Sequence, residues 1–158
     1  VTGVQTCALP ISGVVTTHTL FCVRTPLPLA QQHFLCACFN SYVLNALVRV
    51  LMGGHLTTSL VERLPVPPWT GSTRQRRIAR LAARLARAHA ATARTTSSAA
   101  SASMSSGTSL PARLQALVAA EYGLTVTQFA DVLGGFPLIA DADRRAAGDF
   151  LEHILMET

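Results

Sequence analysis

The sequence contains no lysine, so all thirteen of its basic residues are arginines. Acids and aromatics are also scarce, with eight aspartates and glutamates and 6% aromatic residues. Hydrophobic residues make up 49% of the 158, which argues against a disordered chain and predicts a domain with a substantial core. Arginine suits two-pronged contacts with phosphate and guanine. A GC-rich genome, whose codons favour arginine and alanine, explains most of the bias.

The few charges are unevenly distributed. Residues 1–120 contain eleven arginines and one acid, Glu62, and carry +10, whereas residues 121–158 contain two arginines and seven acids and carry −5. The basic part therefore needs an anionic partner, or solvent, more than the overall charge of +5 suggests.

Sequence motifs for catalysis and for metal binding are missing. No Gly-x-Gly turn follows a strand-like segment, and there is neither a Gly-x-Ser-x-Gly element nor a Walker-type phosphate loop. The five histidines form no His-x-x-x-His pair, and Cys36-Ala37-Cys38 has no second pair at zinc-site spacing. We expect buried, reduced thiols and no catalytic, cofactor or metal site in this chain.

Residues 1–12, VTGVQTCALPIS, differ from the rest of the chain. Read back into codons, they resemble a sequencing-library adapter translated in frame. A signal peptide is the alternative, but no basic start precedes the apolar run, which Pro10 interrupts. We therefore expect an artefact here and a natural chain that extends further at its N-terminus.

The remaining sequence predicts an α+β fold, mainly α-helical with a few short strands, in a fragment of a larger multidomain protein. Residues 14–24 are rich in β-branched and aromatic side chains and predict a strand. Residues 56–61 fit either a short strand or the start of a helix. Helices are predicted over 29–38, from Asn40 or Ser41 to about Met52, over 73–92 and 110–122, after Thr125, and after Asp141 or Asp143.

Composition divides the chain into five parts. Residues 33–52 are nearly long enough to span a membrane, but Asn45 and Arg49 interrupt them, so we expect a buried helix pair and no membrane partner. A Gly53-Gly54 pair would then end the second helix. The five parts are the adapter-like 1–12, residues 13–69 with the helix pair and a Pro-rich exit, the basic helix 70–94, the Ser/Ala-rich loop 95–109 and the helical segment 110–158.

Residues 73–92 show the clearest amphipathic pattern. Four arginines recur at i, i+3, i+7 and i+10 and therefore share one side of the helix, here called the arginine face: Arg77, Arg80, Arg84 and Arg87. Such a face can follow a DNA phosphate backbone, or it can be a solvated surface. Because no acid occurs between Arg63 and Arg113, we favour DNA contact.

A hydroxyl cluster precedes that helix. His55-Leu56-Thr57-Thr58-Ser59 places small hydrogen-bonding side chains on a turn, where they can contact phosphates or base edges. Local caps and turn bonds explain the same pattern equally well. The candidate DNA-binding residues are therefore His55, Thr57, Thr58, Ser59, Arg63, Arg77, Arg80, Arg84 and Arg87.

Several short motifs follow one another in a specific order. They are Thr17-His18-Thr19-Leu20-Phe21, the Asn40-Ser41 break, His55-Leu56-Thr57-Thr58 with Leu64-Pro65-Val66-Pro67, and Tyr122-Gly123-Leu124-Thr125 with Phe136-Pro137-Leu138-Ile139. In this order, across about 13–94 and 110–158, the chain resembles the C-terminal target-recognition region of type II (IIG-like) restriction–modification adenine-N6 DNA methyltransferases.

The resemblance implies a fragment of a site-specific DNA methyltransferase that contributes target recognition and helical support. A missing N-terminal methyltransferase domain would bind S-adenosylmethionine, and its partner would be double-stranded DNA in the bacterial cytoplasm. Val66-Pro67-Pro68-Trp69 is similar to the family's Asn/Asp-Pro-Pro-aromatic catalytic motif, but the Val66 side chain cannot accept a hydrogen bond from adenine. We expect an extended connector there, with Trp69 packed on the fold.

A non-catalytic helical protein-interaction module is the alternative. Burial of the arginine face against the acidic residues 141–157 would favour that alternative.

Overall fold

The computed structural model describes residues 26–52, 56–95 and 109–157. They form seven α-helices: α1 (Leu29–Phe39), α2 (Tyr42–Leu51), α3 (Thr58–Glu62), α4 (Thr73–Thr95), α5 (Ser109–Glu121), α6 (Val126–Gly134) and α7 (Asp141–Met156). Within these ranges there is no strand, so the expected α+β fold with a few short strands is wrong for this part of the chain. The strand predicted at 14–24 and the Gly53-Gly54 helix end lie outside the described residues.

The segment that fitted either a strand or a helix is helical. The Thr57 side chain accepts a hydrogen bond from the Leu60 backbone N–H at 3.3 Å and so caps α3. Leu60 is buried one turn into the helix. A local cap and one buried leucine therefore outweigh the β-propensity of the threonines, which is a weak and context-dependent preference.

Helix α5 lies at the centre of the fold. It packs against α4 on one side and α7 on another, and α1 packs on α4. Leu114 and Val118 join a core cluster with α1 and α4, whereas Ala116 and Ala119 join a second cluster with α6 and α7. A helix that is apolar around most of its circumference is buried on most sides.

The break between α1 and α2 is held by buried polar side chains. Ser41 is almost fully buried; its hydroxyl donates to the Cys38 carbonyl at 2.7 Å and accepts from the Leu44 N–H at 3.1 Å. From α5, the Gln115 side chain accepts from the Tyr42 N–H at 2.8 Å and donates to the Asn40 carbonyl at 3.2 Å. The predicted helix break at Asn40-Ser41 is therefore confirmed, with Ser41 as the cap.

The Pro-rich connector before α4 is fastened by Gln75, a polar side chain only 1% exposed. Its Oε1 accepts from the backbone N–H groups of Thr70 and Gly71 at 2.7 and 2.9 Å. Its Nε2 donates to the Pro68 carbonyl and to Glu121 Oε1, both at 2.8 Å. One amide thereby ties the connector to the starting turn of α4 and to the end of α5.

The same connector is held by an aromatic contact. The Trp69 ring packs edge-on against Phe34, with ring centroids 5.4 Å apart. The packing of Trp69 on the fold is thus confirmed.

Three helix ends test the remaining cap predictions. Gly123 follows α5 with φ of +71°, a conformation that favours glycine, and Thr125 caps α6 in a reciprocal capping box with Gln128. Neither Asp141 nor Asp143 caps α7, because both lie inside its first turn and Ala140 occupies the cap position without a side-chain bond. The carboxylates instead stand where the helix dipole favours negative charge.

Among the described residues, no single helix is long and apolar enough to cross a membrane. Helices α1 and α2 together meet that criterion of length and composition, but the chain bends by 59° between them.

Candidate nucleic-acid interface

Helix α4 is divided lengthwise into a buried side and an arginine-bearing side. Ile78, Ala79, Leu81 and Ala82 are buried on one side, in the core cluster shared with α1 and α5. The four residues of the arginine face are all exposed. At 3.6 residues per turn they fall within about 80° of the circumference, and the helix rises about 15 Å from the first to the last. The structure therefore brings these four predicted residues together on one ridge.

Acidic groups do not cover this ridge. The acidic helix α7 packs mainly against α5 and α6, and the four arginines of the face remain exposed. Among the described residues the ion pairs are Arg144 with Asp141 and His153 with Glu157, so none involves the arginine face. The ridge keeps its positive charge available to an anionic partner.

Two further arginines near the start of α4 have different roles. The Arg74 guanidinium donates to the Ala120 carbonyl at 3.2 Å and so fastens α4 to the C-terminal end of α5. Arg76 is exposed, and its angular position on the helix lies beside the arginine face. Arg76 is not among the residues predicted from the sequence to bind DNA, although its i, i+4 spacing to Arg80 is a signal that places it beside them.

The hydroxyl cluster forms mainly local contacts. Thr57 caps α3, and its hydroxyl lies 3.2 Å from that of Ser59. Arg63 Nε donates to the Ser59 carbonyl at 3.1 Å, within the same short helix. Thr58 and Ser59 are exposed, whereas His55 lies outside the described residues. For Thr57 the structure thus has the local cap that the sequence allowed as an alternative to DNA contact.

A groove of about 590 Å³ runs between α1 and α4 beside the arginine face. Helix α1 contributes Leu29, Ala30 and His33, and α4 contributes Thr73, Arg76, Ala79, Arg80, Ala83 and Arg87. Burial, and then the positive charge of Arg87, lowers the pKa of His33 below its usual value. No sequence pattern links His33 to α4, because their proximity comes from helix packing.

The environment of Cys38 on α1 disfavours its thiolate form. Cys38 is fully buried, and burial followed by the nearby charge of Glu121 raises its pKa to about 12. A thiol with such a pKa is protonated at neutral pH and is a poor nucleophile. Cys36 and Cys38 are both free thiols in the structure; Cys38 is buried as expected, whereas Cys36 is only half-buried.

Comparison of the chain with protein-family models, curated proteins and solved structures finds no match.

Proposed function

We propose that this chain binds double-stranded DNA through the arginine face of α4. The observation that carries the proposal is the uncovered ridge itself, with four exposed arginines in line on one long helix. Duplex DNA presents about one negative charge per 1.7 Å of its axis, so a ridge of about 15 Å faces several phosphates at once. Arginine supports this pairing through its planar, two-pronged hydrogen bonding.

The opposite side of α4 supports the same proposal. Its buried residues, the Arg74 bond to α5 and the Gln75 connector bonds hold the helix backbone in place before any ligand arrives. A prepositioned helix loses less conformational freedom on binding than a segment that must fold on its target. Binding then requires ordering of the arginine side chains alone.

We further propose that this binding serves target recognition in an adenine-N6 DNA methyltransferase of a restriction–modification system. The ordered motifs described above support this assignment. S-adenosylmethionine would then belong to the methyltransferase domain of the parent protein. An upstream reading frame continuous with residue 13 that encodes an Asn-Pro-Pro-aromatic motif would support the assignment; an unrelated upstream domain would contradict it.

The helical interaction module remains the alternative proposal. The arrangement that would favour it, an arginine face buried against residues 141–157, is not what the structure has, because those arginines are exposed.

Salt dependence of duplex binding tests the DNA proposal. If each of the four arginines neutralises one phosphate, log K should fall with log salt with a slope of about −3.6, or about 150-fold between 50 and 200 mM salt. Replacing Arg77 or Arg84 with glutamine should reduce the slope by about 0.9. Arg145→Gln removes an equally exposed charge from α7 and is the matched control.

The outcomes are distinct. A steep slope that the α4 variants reduce and the α7 variant preserves would support the proposal. A slope near zero, or equal effects of all three variants, would refute binding through the arginine face.

A further inference from the structure

The groove between α1 and α4 is lined by positive charge, which the packing of the two helices does not require. Three of its lining residues are arginines, Arg76, Arg80 and Arg87, and none is acidic. About three turns of α4 separate Arg76 from Arg87, since they lie eleven residues apart, about 16 Å along the axis. Three cations along one side of a concave surface repel one another, and a bound anion offsets that repulsion.

Three of the residues that line the groove have small side chains. Ala30 from α1 and Ala79 and Ala83 from α4 leave room between the two helices, where larger residues would fill the space. The groove has a volume of about 590 Å³ and is open to solvent, so it is larger than a bare ion requires. The space accommodates an anionic group together with the organic portion that carries it.

His33 and Arg87 line the groove from opposite helices. Arg87 acts electrostatically on His33, which lines the opposite wall from α1. The imidazole Nδ1 of His33 is buried and has no hydrogen-bond partner among the described residues. The field of the guanidinium therefore reaches across the groove rather than only outwards from the ridge.

We propose that this groove is a phosphate-ester site, in which Arg80 and Arg87 bind the phosphate oxygens and Arg76 adds positive charge on the same side of the groove. A phosphate group has more acceptor oxygens than a carboxylate and therefore fits a pair of guanidinium groups better, since each guanidinium can donate two hydrogen bonds. The proposal rests on the proposed DNA binding for one source of its ligand, a backbone phosphate of the duplex. The other source is a free phosphate or a nucleoside monophosphate.

Only some arginines of the arginine face also line the groove. Arg80 and Arg87 belong both to the arginine face and to the groove, whereas Arg77 and Arg84 belong to the face alone. Arg87→Gln and Arg84→Gln thus remove the same charge from the same exposed helix surface, and only the first alters the groove. Comparison of the two variants therefore distinguishes phosphate binding in the groove from general attraction of anions to the positively charged helix.

The test uses the full chain and inorganic phosphate, titrated at constant ionic strength against chloride while the His33 ring is followed by NMR. A His33→Gln variant assigns its signals among the five histidines. Phosphate bound beside Arg87 should offset the guanidinium charge and shift the His33 titration to higher pH. Arg87→Gln should weaken phosphate binding about tenfold, the effect expected for a hydrogen bond to a charged group, and Arg84→Gln should leave it within about twofold.

Absence of a phosphate-specific shift at His33, or equal weakening by the two variants, would overturn the groove proposal. Circular dichroism of both variants guards against an effect of misfolding. Nucleoside monophosphate and duplex DNA are then compared as ligands of the same groove. Phosphate binding without duplex binding would support a site for free phosphate esters and refute the DNA proposal. Salt-dependent duplex binding without the His33 response would refute the groove and leave the DNA proposal standing.

Discussion

Replacing Gln75 with methionine should remove about 3 kcal/mol from the free energy of unfolding. Methionine nearly matches glutamine in volume, so the change removes the hydrogen bonds without opening a large cavity. Three lost bonds are to backbone groups, at about 1 kcal/mol each, and the one to Glu121 is worth about 1.5 kcal/mol or more. We subtract about 1 to 2 kcal/mol because the exposed Thr70 can rehydrate its N–H.

The assay is urea unfolding monitored by circular dichroism. The loss should appear as a lower midpoint with an unchanged slope, since the variant exposes the same surface on unfolding. Gln31→Met is the matched control, because Gln31 lies half-buried on α1 and no side-chain hydrogen bond joins it to the described residues. Equal stability of the Gln75 variant and the wild type would refute the assignment of Gln75 as the fastening of the connector.

Three further changes test other parts of the fold. Ser41→Ala should cost about 1 to 2 kcal/mol in thermal unfolding, because it removes a buried helix cap. Gly71→Ala should lower the free energy of unfolding by about 1 kcal/mol, since the backbone at Gly71 has φ of +71°. Gly134→Ala is the control: Gly134 lies in a helix with open space around it, so this change should be neutral or slightly stabilising in the same melt. Finally, the lowered pKa of His33 means that the unfolded chain binds a proton more readily than the folded chain near pH 6.5 and below, so the free energy of unfolding should fall as pH drops through that region. His33→Gln should reduce this pH dependence in thermal melts recorded at several pH values. An unchanged pH profile in the variant would refute the prediction.

Much of the helical arrangement follows from local sequence. The apolar spacing of α4, the Ser41 and Thr125 caps and the glycines after α5 and α6 are all local signals, and the structure has a helix or a helix end at each of them. These signals act within a few residues, so one chain segment suffices to interpret them. The Asp141 cap failed because an acid suits the first turn of a helix as well as its cap position.

Residues 56–61 fitted either a strand or the start of a helix, and local sequence did not decide between the two. Threonine favours both strands and helix caps, and only the burial of Leu60 against the rest of the fold decides between them. The buried polar bonds were also beyond prediction. Gln115 meets the α1–α2 break from 73 residues away, and nothing in its own segment marks it as more than an exposed helical glutamine.

The sequence by itself determined the chemistry of the surface and the phase of each helix. The absence of lysine and of acids between Arg63 and Arg113, and the spacing of the arginines, already place a cationic face on one long helix. Only tertiary structure decided that this face stays uncovered, because that depends on α7 packing against α5 and α6. Tertiary structure also decided the groove, because packing of α1 on α4 brings His33 opposite Arg87. These residues are far apart in the sequence, so no local sequence pattern indicates that they are close.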